Sequence, residues 1–381
     1  MKLRYVIKTG LLLGILFTAI ISKAQQPDTI RDGDLTNILL KKNVISQKEA
    51  DSLRADQALK EQARRDKENQ HGITIGSRAL QISGLLQTEY EGFEQTSVNN
   101  TFLLHRARLD VKGDIDDNWN YEVYTEFAGT TKLLDAYTTY KIADFLKFTA
   151  GQFKVPFSLE SLVQDSQLEF IDRSQVVNAL AGRSTDVIGN QNGRDIGIQM
   201  NGSFAKVDGR YLFDYTLGVF NGAGYDVTTD NNSHKDIAGR FSVHPVANLT
   251  VSADFYNGQG NYGTPAKNYL RNRGGFDARY IIGGLSLTAE YGKGTDGLIK
   301  RDGWYGQAAY FVIPKKLQLT AKYDTYDPNK VVTTDRTWIY TGGVNYFFNG
   351  WAKLTLNYLD RREEIILIPN NIFEPQLQLT F

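Results

Sequence analysis

Residues 317–326 read LQLTAKYDTY, and their alternation decides the fold. Leu317, Leu319, Ala321, Tyr323 and Thr325 fall on one face, and Gln318, Thr320, Lys322 and Asp324 on the other. A period of two marks a strand with one apolar face. YLFDYTLGVF (211–220) repeats the pattern, with Tyr211, Phe213, Tyr215, Leu217 and Val219 on its apolar side. In HRARLDVKG (105–113), His105, Ala107, Leu109 and Val111 oppose Arg106, Arg108, Asp110 and Lys112. Such alternation suits a soluble sandwich and a membrane barrel alike, so strand length, turns and aromatic residues must decide.

Sixteen candidate strands follow one another between residue 80 and residue 381. Many run ten to thirteen residues, which suits a tilted membrane span better than the usual soluble strand. Short connections (DIDDN, AD, AKVD, HPVA, IGG, IPKK, FFNG) alternate with mostly longer ones. The longer set holds EQTSVNN, residues 153–192, NGAGYDVTTDNNSHK, NGQGNYGTPAKN, GTDGLIK, DPNKVVTTD and REEIILIPNN, with GTTK its short exception. Short turns at one end and long loops at the other are the transmembrane-barrel pattern. Trp119, Tyr121, Phe127, Tyr280, Tyr291, Trp304, Tyr346 and Trp351 fall near strand ends, where interfacial girdles belong. The expected fold is all-β: a 16-stranded antiparallel transmembrane β-barrel over residues 73–381. A barrel of this size leaves an aqueous channel.

The rest of the chain agrees. Formal net charge is zero, which gives no bulk argument for a nucleic-acid partner. Lys2, Arg4 and Lys8 precede an apolar run over residues 9–21, and small residues at Ser22 and Ala24 predict signal-peptide cleavage after Ala24. The 381 residues include no Cys; an exported barrel closed by its own hydrogen-bond ladder does without disulfides. Residues 25–72 are charged and predict two short helices, the second opened by the capping box Ser46-Gln47-Lys48-Glu49; a coiled-coil or solvated periplasmic segment is expected there.

One connection breaks the pattern. About forty residues from 153 to 192 pass without alternation, and a stretch that long is usually functional. It is the third connection of the long set and is expected to fold inward and narrow the channel. Phe153, Pro156, Phe157, Leu159 and Leu162 supply apolar packing, SLESLVQDSQ offers a helical turn, and Lys154, Glu160, Asp165, Glu169, Asp172, Arg173 and Arg183 are expected to stay wet. Alternation also sends Arg106, Arg108, Lys112, Arg240, Arg273, Arg279, Lys322 and Lys353 inward as pore-lining bases. Asp110, Glu122, Glu126, Asp195, Asp214, Asp277 and Glu290 go inward with them. A lumen of mixed sign fixes a pore but not its selectivity.

GQFKVPFSLE (151–160), LEFIDRS (168–174) and GRDIGIQ (193–199) resemble, in order and spacing, the motifs of the phosphate-selective porin O and P family. The resemblance covers about residues 73–381. It implies a trimeric outer-membrane channel for small anions such as phosphate, embedded in outer-membrane lipid, with Lys154, Arg173 and Arg194 at basic positions of its loop motifs. Asp172 departs conservatively from the usual Glu. With Arg183 these bases form the expected constriction. No cofactor and no catalytic or metal-binding residues are expected. Gly258-x-Gly260-x-x-Gly263 matches a dinucleotide fingerprint by letter only, since no helix follows. His71, His105, His234 and His244 lack metal-ligand spacing. DVTTDNNSHKD reads as a solvated loop with oxygens suited to calcium. A barrel enzyme or a structural, adhesive barrel are the rival readings, which single-channel conductance separates from a pore.

Overall fold

The computed structural model describes residues 32–42, 44–47, 49–50, 53, 73–74, 78–227, 229–365 and 368–381. The expected signal peptide and most of the 25–72 segment lie outside the described residues. Contacts divide the chain into two compact units, residues 1–54 and 55–381. The first contains α1 (Asp32–Lys41). Its capping box forms: Ser46 N donates to Glu49 Oε2 (2.8 Å) and Glu49 N donates to Ser46 Oγ (3.3 Å).

The second unit is a closed antiparallel barrel of sixteen strands. They are β1 (Gln81–Phe93), β2 (Thr101–Asp114), β3 (Trp119–Glu126), β4 (Lys132–Ala143), β5 (Leu146–Lys154), β6 (Arg194–Val207), β7 (Arg210–Phe220) and β8 (Asp236–Val246), followed by β9 (Leu249–Tyr262), β10 (Lys267–Ile282), β11 (Leu285–Asp296), β12 (Ile299–Ile313), β13 (Leu317–Asp327), β14 (Thr337–Phe347), β15 (Ala352–Glu363) and β16 (Ile372–Thr380). Each pairs with its sequence neighbours, and β16 pairs with β1, placing Leu379 opposite Leu86. A further pair, Ile73 and Thr74, adds to β1. The closing seam is tied at its end by Phe381. Its backbone exchanges hydrogen bonds with Gly84 (2.7 and 3.1 Å), and its ring lies over Gly84, where a Cβ would meet Cζ at 2.3 Å and the ring would have to move aside.

Period two sorts the side chains. Phe241, Phe255, Phe276, Leu287, Leu319 and Leu377 are exposed on the outer face. Gln318, Thr320, Lys322, Asp324, Gln376 and Gln378 are buried on the inner one. A polar interior with apolar residues on the outer surface inverts a soluble fold and fits lipid outside. Outer aromatics form two belts. Trp304, Tyr323 and Tyr340 run along the long-loop side, with ring centroids 4.9 and 5.2 Å apart. Trp119–Tyr140 (4.8 Å), Phe204–Phe213 (5.2 Å) and Phe213–Phe241 (5.8 Å) lie toward the short turns.

Three local expectations change. NGQGNYGTPAKN and GTDGLIK are not long loops: β9 and β10 continue to a turn over residues 263–266, and β11 and β12 meet at residues 297–298. Polar cross-strand pairs such as Asn257–Asn272 and Asn261–Asn268 extend the ladder. Alternating hydrophobicity does not mark strands that are polar on both faces. His105 does not join the outer face. Leu104 pairs with Thr88 and Arg106 with Gln87, leaving His105 as the extra residue of a β-bulge, turned inward onto Glu89.

Candidate functional site

Between β5 and β6 the chain enters the barrel. It forms α2 (Leu159–Leu162), a 3₁₀ turn (Asp165–Gln167) and α3 (Gln175–Leu180). Sequence reading anticipated a turn near α2 and missed α3, although a serine at the N-cap position, Ser174, followed by Val176, Val177 and Leu180 at helical spacing is a helix-start signal; the Ser174 side chain itself makes no cap hydrogen bond. Phe157, Val176, Val177, Ala179, Leu180 and Ala181 pack in one cluster with Phe153, Phe220, Ala238, Tyr256, Tyr305 and Tyr326 of the wall. Those wall residues occupy lumen-facing positions, so the loop lies against the inner wall. Each fully buried Val, Leu or Phe there stabilises docking by about 1.5–3 kcal/mol. Gly193 closes the loop at φ +71°, where a Cβ would stand 2.5 Å from Ser161 Oγ; neither the conformation nor the space admits a side chain.

The wall also binds the loop's backbone. Its carboxylates accept from amides at the starts of both helices: Ser158 N to Asp254 Oδ2 (3.0 Å), Glu160 N to Glu290 Oε2 (3.1 Å) and Gln175 N to Asp324 Oδ2 (2.7 Å). Glu160 Oε2 accepts from Ser174 N (2.7 Å) within the loop. Helix starts leave N–H groups without helical partners, and carboxylates satisfy them. Wall donors take the carbonyls: Lys322 Nζ to Asp172 O (2.8 Å), Lys353 Nζ to Leu168 O (2.9 Å), Asn345 Nδ2 to Glu169 O (2.9 Å) and Gln378 Nε2 to Ser166 O (3.1 Å).

Basic groups collect at the opposite edge of the loop, around Asp165. Arg108 and Arg173 both donate to Asp165, and Arg106 Nη2 lies 3.4 Å from it. Arg108 also meets Glu126 Oε2 at 2.6 Å. Lys154 Nζ donates to Leu162 O and Val163 O, both at 3.0 Å. Arg183 donates to Ser161 Oγ (2.9 Å) and Ser161 O (2.8 Å). Arg194 forms a fork on Asp135 at 2.9 and 2.6 Å. Tyr124 lies beneath two of these groups, with Arg108 at 5.5 Å and Arg194 at 6.0 Å from its ring centroid. Six basic side chains, five of them arginines, thus meet three carboxylates: Asp165, Glu126 and Asp135. Burial disfavours the Asp165 carboxylate, but Arg106, Arg173 and Arg108 outweigh it and hold the group well below its usual range. Burial, then Arg173, pushes Arg183 well below the usual arginine value, though the guanidinium stays charged at neutral pH. The local field is positive.

Most of the loop's charges are not wet. Glu160, Asp165, Arg173 and Arg183 are buried, while Asp172 is exposed. Each buried group has a partner on the loop or wall that the linear sequence hides. Of the expected pore-lining bases, Arg273 faces inward but its side chain is fully enclosed between Asp296 (2.7 Å) and Asp186 (3.7 Å). The loop covers it: Arg273 Nε donates to Leu180 O (3.2 Å). Arg240 is paired with Asp254 (2.5 Å) and Asp277 (2.6 Å). Lys322 and Lys353 clamp the loop as described. Arg279 is half-buried, and its Nε has no hydrogen-bond partner among the described residues. Arg271 and Asp186 form a buried fork (3.1 and 2.8 Å) that sequence reading missed. The candidate strand began one residue too late to include Arg271.

Between the Asp165 cluster and the short turns lies a cavity of about 500 Å³. Lys112, Lys147, Lys154 and Arg194 line it with Asp110, Glu122, Asp135 and Asp165, so the vestibule itself is balanced. The excess positive charge lies at the loop edge.

The sequence model of the family described as phosphate-selective porin O and P matches residues 81–381. No curated protein matches the chain. Among solved structures, the barrel is similar to the anion-selective porin from Comamonas acidovorans: 15% identity, TM-score 0.59, covering 80% of this chain and 99% of that one. It is similar to OmpT, an outer membrane protein of Vibrio cholerae, in-vitro folded and in trimer form: 15% identity, TM-score 0.57, covering 80% and 99%. It is also similar to OprB of Pseudomonas putida: 11% identity, TM-score 0.59, covering 79% and 94%. At these identities the likeness is one of fold.

Proposed function

The chain belongs to the phosphate-selective porin O and P family, and from that premise we propose that its channel favours small anions, phosphate among them. The protein is an outer-membrane porin of the Gram-negative type, a water-filled path for passive diffusion. The observation that carries the selectivity is the cluster around Asp165, where Arg106, Arg108, Lys154, Arg173, Arg183 and Arg194 outnumber their carboxylates. Arg106 and Lys154 are the more open members and present this field to a passing solute. In a narrow channel, fixed charge acts at short range with reduced screening. Residues 153–192 are the constriction, and no chemical step takes place. A reversal potential across a planar bilayer in a phosphate or chloride gradient tests this; a potential of cation-selective sign would sink it.

The working unit in this reading is a homotrimer associated through outer walls, as the trimeric form of a similar structure supports. The outer face of β10–β15 carries a shallow apolar groove of about 900 Å³, with Ala289, Gly306, Ala308 and Gly342 between Tyr280 and Tyr358. Light scattering in mild detergent is expected to give three chains; monomer alone would remove the trimer.

A further inference from the structure

A separate cluster on the lumen wall consists of acids. Glu89 and Glu91 on β1 and Glu374 on β16 each offer one carboxylate oxygen, and the three oxygens lie within 4.8 Å of one another. The seam register, with Phe373 opposite Gly92 and Gln376 opposite Glu89, sets Glu374 directly across from Glu91. Like charges in that position destabilise a sheet. The same place interrupts the pairing. Residues 374 and 375 have no recorded partners on β1, and Pro375 has no N–H to give. Glu374 is 2% exposed, and its Oε2 is buried with no hydrogen-bond partner among the described residues. A buried carboxylate oxygen left in that state is costly.

The surroundings hold the three groups without neutralising them. Gln376 Nε2 donates to Glu89 Oε2 (2.7 Å), and His105 meets the same oxygen. On the other side of β16, Asn357 is the neighbour of Glu374. With its amide oriented to satisfy both ends, Asn357 accepts from Ile171 N of the loop at 3.0 Å. The next residue, Asp172, acts electrostatically on both Glu91 and Glu374; Arg361 is the cation acting on Glu374. Four carboxylates therefore face two guanidinium groups, Arg361 at Glu374 and Arg106 at Asp172, and one imidazole, His105 at Glu89.

We infer that Glu89, Glu91 and Glu374 form a divalent-cation site of calcium type, with Asp172 bringing the loop to its edge. Three oxygen donors and no sulfur select a hard cation. Calcium–oxygen distances near 2.4 Å let two ligands of one ion stand up to about 4.8 Å apart, whereas magnesium at about 2.1 Å requires a tighter set. Lumen water completes the six to eight oxygens calcium takes. The bound ion converts a repulsive cross-strand pair into a bridge between the first and last strands where their ladder is interrupted. It also removes local negative charge from the lumen. The inference does not depend on the channel's anion preference.

Isothermal titration of the folded, chelator-stripped protein in detergent with calcium chloride, and with magnesium chloride in parallel, tests the site. One calcium per chain is expected, bound more tightly than magnesium. Glu374→Gln is expected to weaken calcium binding about tenfold or more, because affinity follows the number of charged ligands. Without calcium, Glu374→Gln should unfold at a higher temperature than the parent, since it removes repulsion. With calcium, the parent should gain more than the variant. Absence of saturable calcium uptake by the parent, or equal uptake by both proteins, overturns the site. A parent less heat-stable than Glu374→Gln in saturating calcium does the same for the proposed bridge.

Discussion

Two edges of the folded-in loop carry the same residue types to opposite effect. Toward β9–β13 the wall is acid-rich: Asp254, Glu290 and Asp324 face loop amides and take their hydrogen bonds. There charge holds the loop's backbone in place. Around Asp165, on the other edge, the basic groups outnumber the acids they meet, and Asp165 joins Arg106, Arg108 and Arg173 across the gap between loop and wall. There charge is left over, and in the proposed reading a passing ion feels it. Counting charged residues along the lumen would average these edges to nothing. Their separation in space is what a selective channel can use.

The largest test removes both edges at once. Deleting residues 158–181 is expected to raise single-channel conductance severalfold while the barrel stays heat-modifiable, because the strand ladder makes none of its hydrogen bonds through the loop. An intact barrel of unchanged conductance would show that the loop does not narrow the path.

Charge reversal at the basic edge comes next. Lys154→Glu, Arg106→Glu and Arg194→Glu should each lower the anion-to-cation permeability ratio, most at low salt where the Debye length is long. Arg194→Glu also opposes Asp135, so it should cost fold stability as well, about 3–5 kcal/mol for a broken buried pair. Ratios that do not move with any of the three substitutions would place selectivity elsewhere.

At the acid edge the effect is smaller and of another kind. Glu290→Ala leaves the Glu160 amide without its acceptor, a loss of about 1–3 kcal/mol for a buried donor. Brief high-conductance openings are expected with little change in permeability ratio. A change in selectivity without such openings would contradict the division between the edges.

The smallest effect is expected from pH. Asp165 titrates below the ordinary carboxylate value of about 4, so its contribution to docking is complete above that value and fades only as pH falls through its lower folded value. Any difference in conductance between pH 7 and pH 5 should therefore persist in Asp165→Asn. A rise across that interval that Asp165→Asn abolishes would mean its carboxyl titrates far higher than its partners imply.

The sequence was legible where physics is local. LQLTAKYDTY falls within β13 with its faces as read, because alternate residues of any strand point to opposite sides. The short turns were legible for the same reason. Legibility failed at His105, since a bulge needs the partner strand to be known. It failed at β9–β10 and β11–β12, where polar strands rise above the lipid and lose the apolar signal. In the loop, the motif residues Lys154, Arg173 and Arg194 stood out, but their partners did not. Asp165 reaches Arg108 across 57 positions, and Asp186 reaches Arg271 across 85.

By itself, then, the sequence determined a barrel with a polar inside, an apolar outside and one long connection, because periodicity and turn length are properties of neighbouring residues. Tertiary structure alone decided which charges were cancelled, which clamped the loop and which stayed in excess. Pairing depends on distances of a few ångströms between strands far apart in the chain, and a carboxylate's effect depends on what burial has placed beside it.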